Sequence, residues 1–147
     1  MKAFQFRLEA ALRLREMQFQ AERAKLQQLL AEEQRLRQSL DALAGERLEA
    51  SAFIQRLENP ANRDFRALSA YLLGAAARAS SLREQISRAG ALIDQQRKKV
   101  RRCERNFRLL AKLREKKLRE WTFERDKQIE AAAQEAWLSR YSLRQSR

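Results

Sequence analysis

One feature constrains this chain more than any other: an apolar repeat of 3.5 residues. Steps of three and four residues from Phe65 to Leu110 land on Phe65, Leu68, Leu72, Ala75, Ala79, Leu82, Ile86, Ala89, Ile93, Val100, Cys103, Phe107 and Leu110, broken only by Gln96. The same stepping from Phe19 to Leu57 visits Phe19, Leu26, Leu29, Leu36, Leu40, Leu43, Ala50, Ile54 and Leu57, with Glu22, Glu33 and Arg47 as the polar exceptions. A repeat of this period, held this long, needs a second helix along the same face and winds the pair left-handedly.

One break separates the two tracts, "NPANRD" at residues 59–64. Pro60 lacks an amide hydrogen and its ring clashes with the preceding turn, so a helix interior cannot pass through it. Asn59 and Asn62 tolerate turn conformations, and Asp64 is the expected N-cap of the helix beyond the break. With 3 glycines and 1 proline in 147 residues, few other connections are available. Charged residues make up 35 % of the chain and aromatics 7 %, the profile of long helices.

The expected fold is therefore all-α, a single coiled-coil domain over 1–147. Helix 1 covers about 4–58, the loop 59–64, and helix 2 about 64–143. So short a loop makes the helices antiparallel neighbours, with residue i opposite about residue 122 − i. The second helix is the longer, and its end, 121–147, overhangs the first by roughly seven turns.

Several function classes fall away on composition. The chain has no histidine and one cysteine, Cys103. A Cys/His metal site or a Ser-His-Asp triad cannot be assembled from that inventory. Cys103 lies on the repeat and reads as a small buried apolar group. No apolar run approaches the length of a membrane span, and the charged opening "MKAFQFRLEAALRLRE" is unlike a signal peptide. A soluble intracellular protein is expected.

Three surface features invite a functional reading. In the overhang, Ile129, Ala132, Ala133, Ala136, Trp137 and Tyr141 share one helical face. That stripe is either a fraying end, or one that folds onto a longer N-terminal segment, or a place where a partner binds. Near the hairpin tip Leu48, Phe53, Tyr71 and Leu73 lie off the seam within one short section. They are either scattered exposed side chains or a docking patch. Finally, "RKKVRRCERNFRLLAKLREKKLR" at 97–119 sets twelve Lys and Arg against two carboxylates in a chain of net charge +13. A solvated face, nucleic acid and an acidic protein groove all remain open for it. Phosphate neutralisation is available, yet no RNP motif, zinc-finger spacing or Gly-rich loop accompanies it. Its one aromatic, Phe107, lies on the seam, so a base-stacking platform is missing.

The stretch "FQFRLEAALRLREMQFQAERAKL" (Phe4 to Leu26) and the block "RLLAKLREKKLREW" (Arg108 to Trp121), with the two-helix layout, resemble the FliJ family of the bacterial flagellar type III export apparatus. The resemblance implies a non-catalytic cytoplasmic component, with no cofactor or small-molecule substrate, held peripherally at the inner face of the membrane at the flagellar base. It serves flagellum biogenesis, protein export and hence motility and chemotaxis. It implies a stalk-like coiled coil whose termini enter the ring of the FliI ATPase, promote ring assembly and couple it to the FlhA export gate, with export chaperones as further partners. On that reading ring contacts fall to Phe4, Phe6, Leu8, Lys112, Lys116, Arg119, Trp121, Ile129, Trp137 and Tyr141. Gate contacts fall to Leu43, Leu48, Phe53, Tyr71 and Leu73. Positions of the family's gate surface occupied here by Glu46, Ala75 and Arg78 depart from its pattern. Injectisome stalk proteins share the layout, but the opening favours the flagellar branch. Free in solution, a monomer is expected. The alternatives are a basic nucleic-acid-binding coiled coil and a structural homodimer whose seam is intermolecular.

Overall fold

Two α-helices make up the protein in a computed structural model that describes residues 1–146: α1, Glu9–Arg56, and α2, Asn62–Gln145. They form an antiparallel hairpin with the second helix longer. Both helices contribute to two compact units, one comprising Gln20–Arg101 and the other Met1–Phe19 with Arg102–Arg147. Arg147, the last residue of the expected overhang, lies outside the described residues.

In the Gln20–Arg101 unit the predicted heptads supply the core. Leu43, Ala75 and Ala79 form a buried cluster, with Leu40 and Leu82 packed on it. Ala75 is fully covered and Leu43 is 7 % exposed. Leu43 thus faces Ala79, as the expected pairing requires. The alanines matter because a methyl group leaves room for a leucine from the facing helix, in the manner of a knob entering a hole. Every position of the α1 repeat in this unit, polar exceptions included, is at least partly buried. Glu33 is tolerated there because Arg37, one turn on, donates to it from Nε at 2.9 Å and from a terminal nitrogen at 2.7 Å.

Phe65, expected to open the α2 seam, is about half exposed. The cause is local: the pairing sets it against Leu57, which already lies beyond the end of α1. The turn itself is built differently from the expectation. Asp64 is not the N-cap but the third residue of α2, and its carboxylate accepts the Ala61 N–H at 2.9 Å. That is the returning half of a capping box, in which an acidic side chain at N3 satisfies the amide of the residue before the helix. Pro60 precedes this residue, where its missing donor costs nothing.

In the terminal unit Leu12 is buried and Phe19 stacks on Phe107, ring centroids 6.1 Å apart and planes 11° from parallel. Helix α1 starts at Glu9, not near Phe4 as its composition suggests. Its first turn is reached through a bend in which Glu9 N–H donates to Phe6 C=O at 3.1 Å. Residues 1–8 offer no Ser, Thr, Asp or Asn to cap an earlier start, and Glu9 is the first carboxylate that complements a helix N-terminus.

Truncating Leu43 should therefore separate seam from surface. Leu43→Ala is expected to cost roughly 2–4 kcal/mol. Leu48→Ala, at an exposed position nearby, should stay within about 0.5 kcal/mol of wild type. Chemical denaturation followed by circular dichroism measures both, and equal losses would refute the packing described.

Candidate partner-binding surface

Residues 1–8 do not trail away from the helices. Trp121 Nε1–H donates to the Lys2 carbonyl at 3.2 Å, and the Phe4 ring leans on the Trp121 ring, centroids 6.1 Å apart and tilted 56°. Arg114 lies over Phe4 at 5.6 Å while its Nε donates to Glu9 at 3.0 Å. Arg125 covers Trp121 at 5.2 Å. The result is a pair of rings, Phe4 and Trp121, flanked by two cations, Arg114 and Arg125, in which each guanidinium meets the electron-rich face of an aromatic. An open cleft of about 770 Å³ beside it is lined by Met1, Phe4, Phe6, Leu8 and, from α2, Leu113 and Trp121.

This arrangement divides the expected ring contacts. Phe4 and Trp121 are occupied with one another, and Phe6 is half-buried in the cleft wall. Leu8, Lys112 and Lys116 are exposed. Arg119 is also exposed, donating to Glu115 at 2.7 Å one turn back. Beyond Arg125 every described residue of α2 is exposed. Ile129 and Tyr141 are open to solvent, and Trp137, 63 % exposed, is stacked on Tyr141 with centroids 5.4 Å apart. The predicted stripe exists, and helix α1 does not cover it. Upstream in the same unit, the basic side chains of residues 102–119 are exposed around the helix, Arg114 apart. They form the solvated arc rather than a single track.

The expected gate contacts fare unevenly. Leu43 belongs to the buried cluster against Ala75 and Ala79, so it cannot meet a partner while the seam is closed; its assignment as a docking residue is withdrawn on that ground. Leu48, Phe53 and Leu73 are exposed. Tyr71 is half-buried, with the Arg78 guanidinium 5.9 Å above its ring. Leu48 borders a shallow groove of about 420 Å³ with Ala44, Arg47, Ser51 and Leu72, which does not include Phe53, Tyr71 or Leu73. The four side chains therefore do not converge on one groove.

Sequence reasoning missed a polar layer in the Gln20–Arg101 unit. Gln96, buried, donates from Nε2 to the Glu22 backbone carbonyl at 3.0 Å and also to the Glu22 carboxylate. Glu22 and Gln96 were each visible as breaks in their repeats, and the antiparallel pairing sets Gln96 opposite Leu26, one turn from Glu22. Joining the two exceptions would have found the contact. The hydrogen bond from Gln96 holds the Glu22 carboxyl below the usual range, helped by Lys25 and Lys99 and opposed by burial.

Among the described residues no cluster of His, Cys, Asp and Glu could hold a metal ion. No helix is long and apolar enough to cross a membrane. Compared with known proteins, the chain matches no family model, no curated protein and no solved structure.

A lowered carboxyl pKa stabilises the fold at pH above its unfolded value, and that stability is lost as pH falls through the folded value. Glu22→Gln should thus be less stable than wild type at about pH 7, with the gap closing as pH drops below the ordinary carboxylate range near 4. Thermal melts across that window check this. A gap that stays constant down to about pH 2 would show that Glu22 titrates alike in both states.

Proposed function

We propose that this chain is a non-enzymatic, stalk-like coiled coil of the FliJ type, which engages the ring of a FliI-like export ATPase through its terminal unit and couples that ring to an FlhA-like gate. The single observation carrying the reading is the uncovered end of α2. A hairpin whose only purpose was its own seam would stop where α1 stops. This one continues past Arg125 with Ile129, Trp137 and Tyr141 exposed on one side of the helix. An unpartnered helix of that length is marginal in water, so its apolar stripe gains most when another protein supplies the second wall.

The remaining features support the same role. The exposed cations Lys112, Lys116 and Arg119 lie just behind the overhang, where they would meet an acidic lining. The cleft between residues 1–8 and α2 adds apolar surface at the same end. Gate binding would use the other unit, through Leu48, Phe53, Tyr71 and Leu73 rather than Leu43. Export chaperones are further partners on this reading. The site of action would be the cytoplasmic face of the membrane at the flagellar base.

Each large apolar side chain buried on a partner contributes on the order of 2 kcal/mol before ordering costs. Trp137→Ala combined with Ile129→Ala should weaken binding to a FliI-like ATPase by about 100-fold and leave the hairpin's melting temperature unchanged. Reversing Lys112, Lys116 and Arg119 to Glu should abolish stimulation of that ATPase while helicity survives. Titration by fluorescence anisotropy and a steady-state ATPase assay read the two effects. Unchanged affinity in the folded double variant would move the grip to Phe4, Phe6 and Leu8. Tight DNA binding by the wild type at physiological salt, with no ATPase binding, would replace the reading altogether.

A further inference from the structure

One line along the uncovered end of α2 runs Asp126, Glu130, Ala133, Trp137, Arg140 and Arg144, in steps alternating between four and three. That is heptad spacing, so these six side chains share one face. The line is acidic at its start, apolar at its centre and basic at its end. Turned end for end, it is its own complement.

Within one chain those charges are badly served. Elsewhere arginines find a glutamate one turn back on the same helix: Arg37 on Glu33, Arg88 on Glu84, Arg108 on Glu104 and Arg119 on Glu115. Arg140 has Ala136 and Trp137 in the corresponding places, and Arg144 has Arg140 and Tyr141. Neither arginine, nor Glu130, forms an ion pair among the described residues, and Asp126 pairs with its neighbour Arg125. Asp126 and Glu130 stand four residues apart with like charge, as do Arg140 and Arg144, an arrangement that weakens an isolated helix. The C-terminal end of the helix dipole favours Arg144 but does nothing for two carboxylates so far upstream.

We propose that this segment pairs with the same segment of a second copy of the chain, antiparallel and about a two-fold axis, in the register that sets Ala133 against Trp137 of the second copy. A two-fold contact requires that whatever i makes to j, j makes to i, and this line meets the condition throughout. Glu130 falls opposite Arg140 and Asp126 opposite Arg144, each pair occurring twice. Each Trp137 enters the space left by an alanine of the second copy. Glu135, at the centre of symmetry, points to the far side of the helix, so its two copies do not collide.

The same line argues against other arrangements. Parallel pairing sets acid on acid and arginine on arginine. A shift by one heptad sets Trp137 against Arg140, or Asp126 against Trp137, and loses both charge pairs. Discrimination of this kind comes from the repulsive alternatives as much as from the attractive one. Because the contact is only about five turns long, its buried area falls below the roughly 1,200 Å² of stable complexes and its affinity is micromolar. The hairpin seam stays within each chain, so the expected monomer holds only in dilute solution. The pairing covers the stripe assigned above to the ATPase ring, making the two occupants alternatives, but it does not depend on that assignment.

Charge swapping tests the register. By sedimentation equilibrium the full chain should dimerise with a Kd of about 1–100 µM. Glu130→Arg alone and Arg140→Glu alone should each weaken this by about tenfold or more, since each sets like charges together twice. The double variant E130R/R140E should return to within about threefold of wild type, and an equimolar mixture of the two single variants should form a heterodimer. Circular dichroism confirms that α2 remains helical in each. A spin label at Ser142, with Cys103 replaced by Ala, should report about 30 Å between copies, because roughly fourteen residues separate 142 from its opposite position and both labels point away from the contact. A wild type still monomeric at about 200 µM, single variants that dimerise unchanged, a swap that fails to rescue, or a 142–142 distance near 20 Å, as in-register parallel copies would give, would each overturn the proposal.

Discussion

Everything in this protein depends on two helices of unequal length sharing an antiparallel seam. The seam is thin: in the Gln20–Arg101 unit its best-covered residues are alanines, Ala75 and Ala79, with Leu43 between them. Two helices can bury only a line of side chains, so most of the chain's surface stays wet however long the helices grow. Stability must come from many modest contacts in sequence. The exposed intrahelical ion pairs, such as Arg88 with Glu84 and Arg108 with Glu104, add only a few tenths of a kcal/mol each and serve chiefly to keep the solvated arc soluble. Of the cations of the second helix, Arg114 reaches across to Glu9 and Phe4 while most of the others stay on the solvated arc.

A seam of apolar heptads is tolerant of slippage, because neighbouring heptads resemble each other. Gln96 and Glu22 address that weakness in the Gln20–Arg101 unit. A buried amide that donates both to a backbone carbonyl and to a carboxylate finds its partners in one register only. In the terminal unit the comparable device is aromatic. Phe19 on Phe107, and Phe4 with Trp121 between Arg114 and Arg125, fix the ends of the contact by shape and by cation–ring geometry.

The hairpin was legible in the sequence because heptads and Pro60 are both strong local signals, and because a short loop leaves one way for two helices to pair. The boundaries were less so. Helix 1 was expected from Phe4, since "FQFRLEAALRLRE" has helical spacing throughout. Two things set the later start: residues 1–8 lack a capping side chain, which was legible, and Trp121 holds Lys2 and Phe4 in a tertiary contact, which no local pattern contains. Asp64 was recognised as a helix-start residue but placed at the wrong position, for an acid serves equally at the cap or reaching back from the third residue. Leu43 shows the opposite failure: the heptad already set it on the seam, and that reading should have overruled its assignment to a docking surface. The overhang was legible as geometry. The order of charges along it gained meaning only once no covering chain was found there.

The claim beneath all of this is that α1 and α2 of the same chain form the seam. The most direct measurement is a pulsed dipolar spectroscopy distance between spin labels at positions 48 and 74, with Cys103 replaced and labelled chain diluted in an excess of unlabelled chain. A single population at about 10–20 Å, unchanged by the dilution, is the result predicted. A separation of several tens of ångströms in the diluted sample, or a short distance that disappears on dilution, would mean that the seam forms between chains.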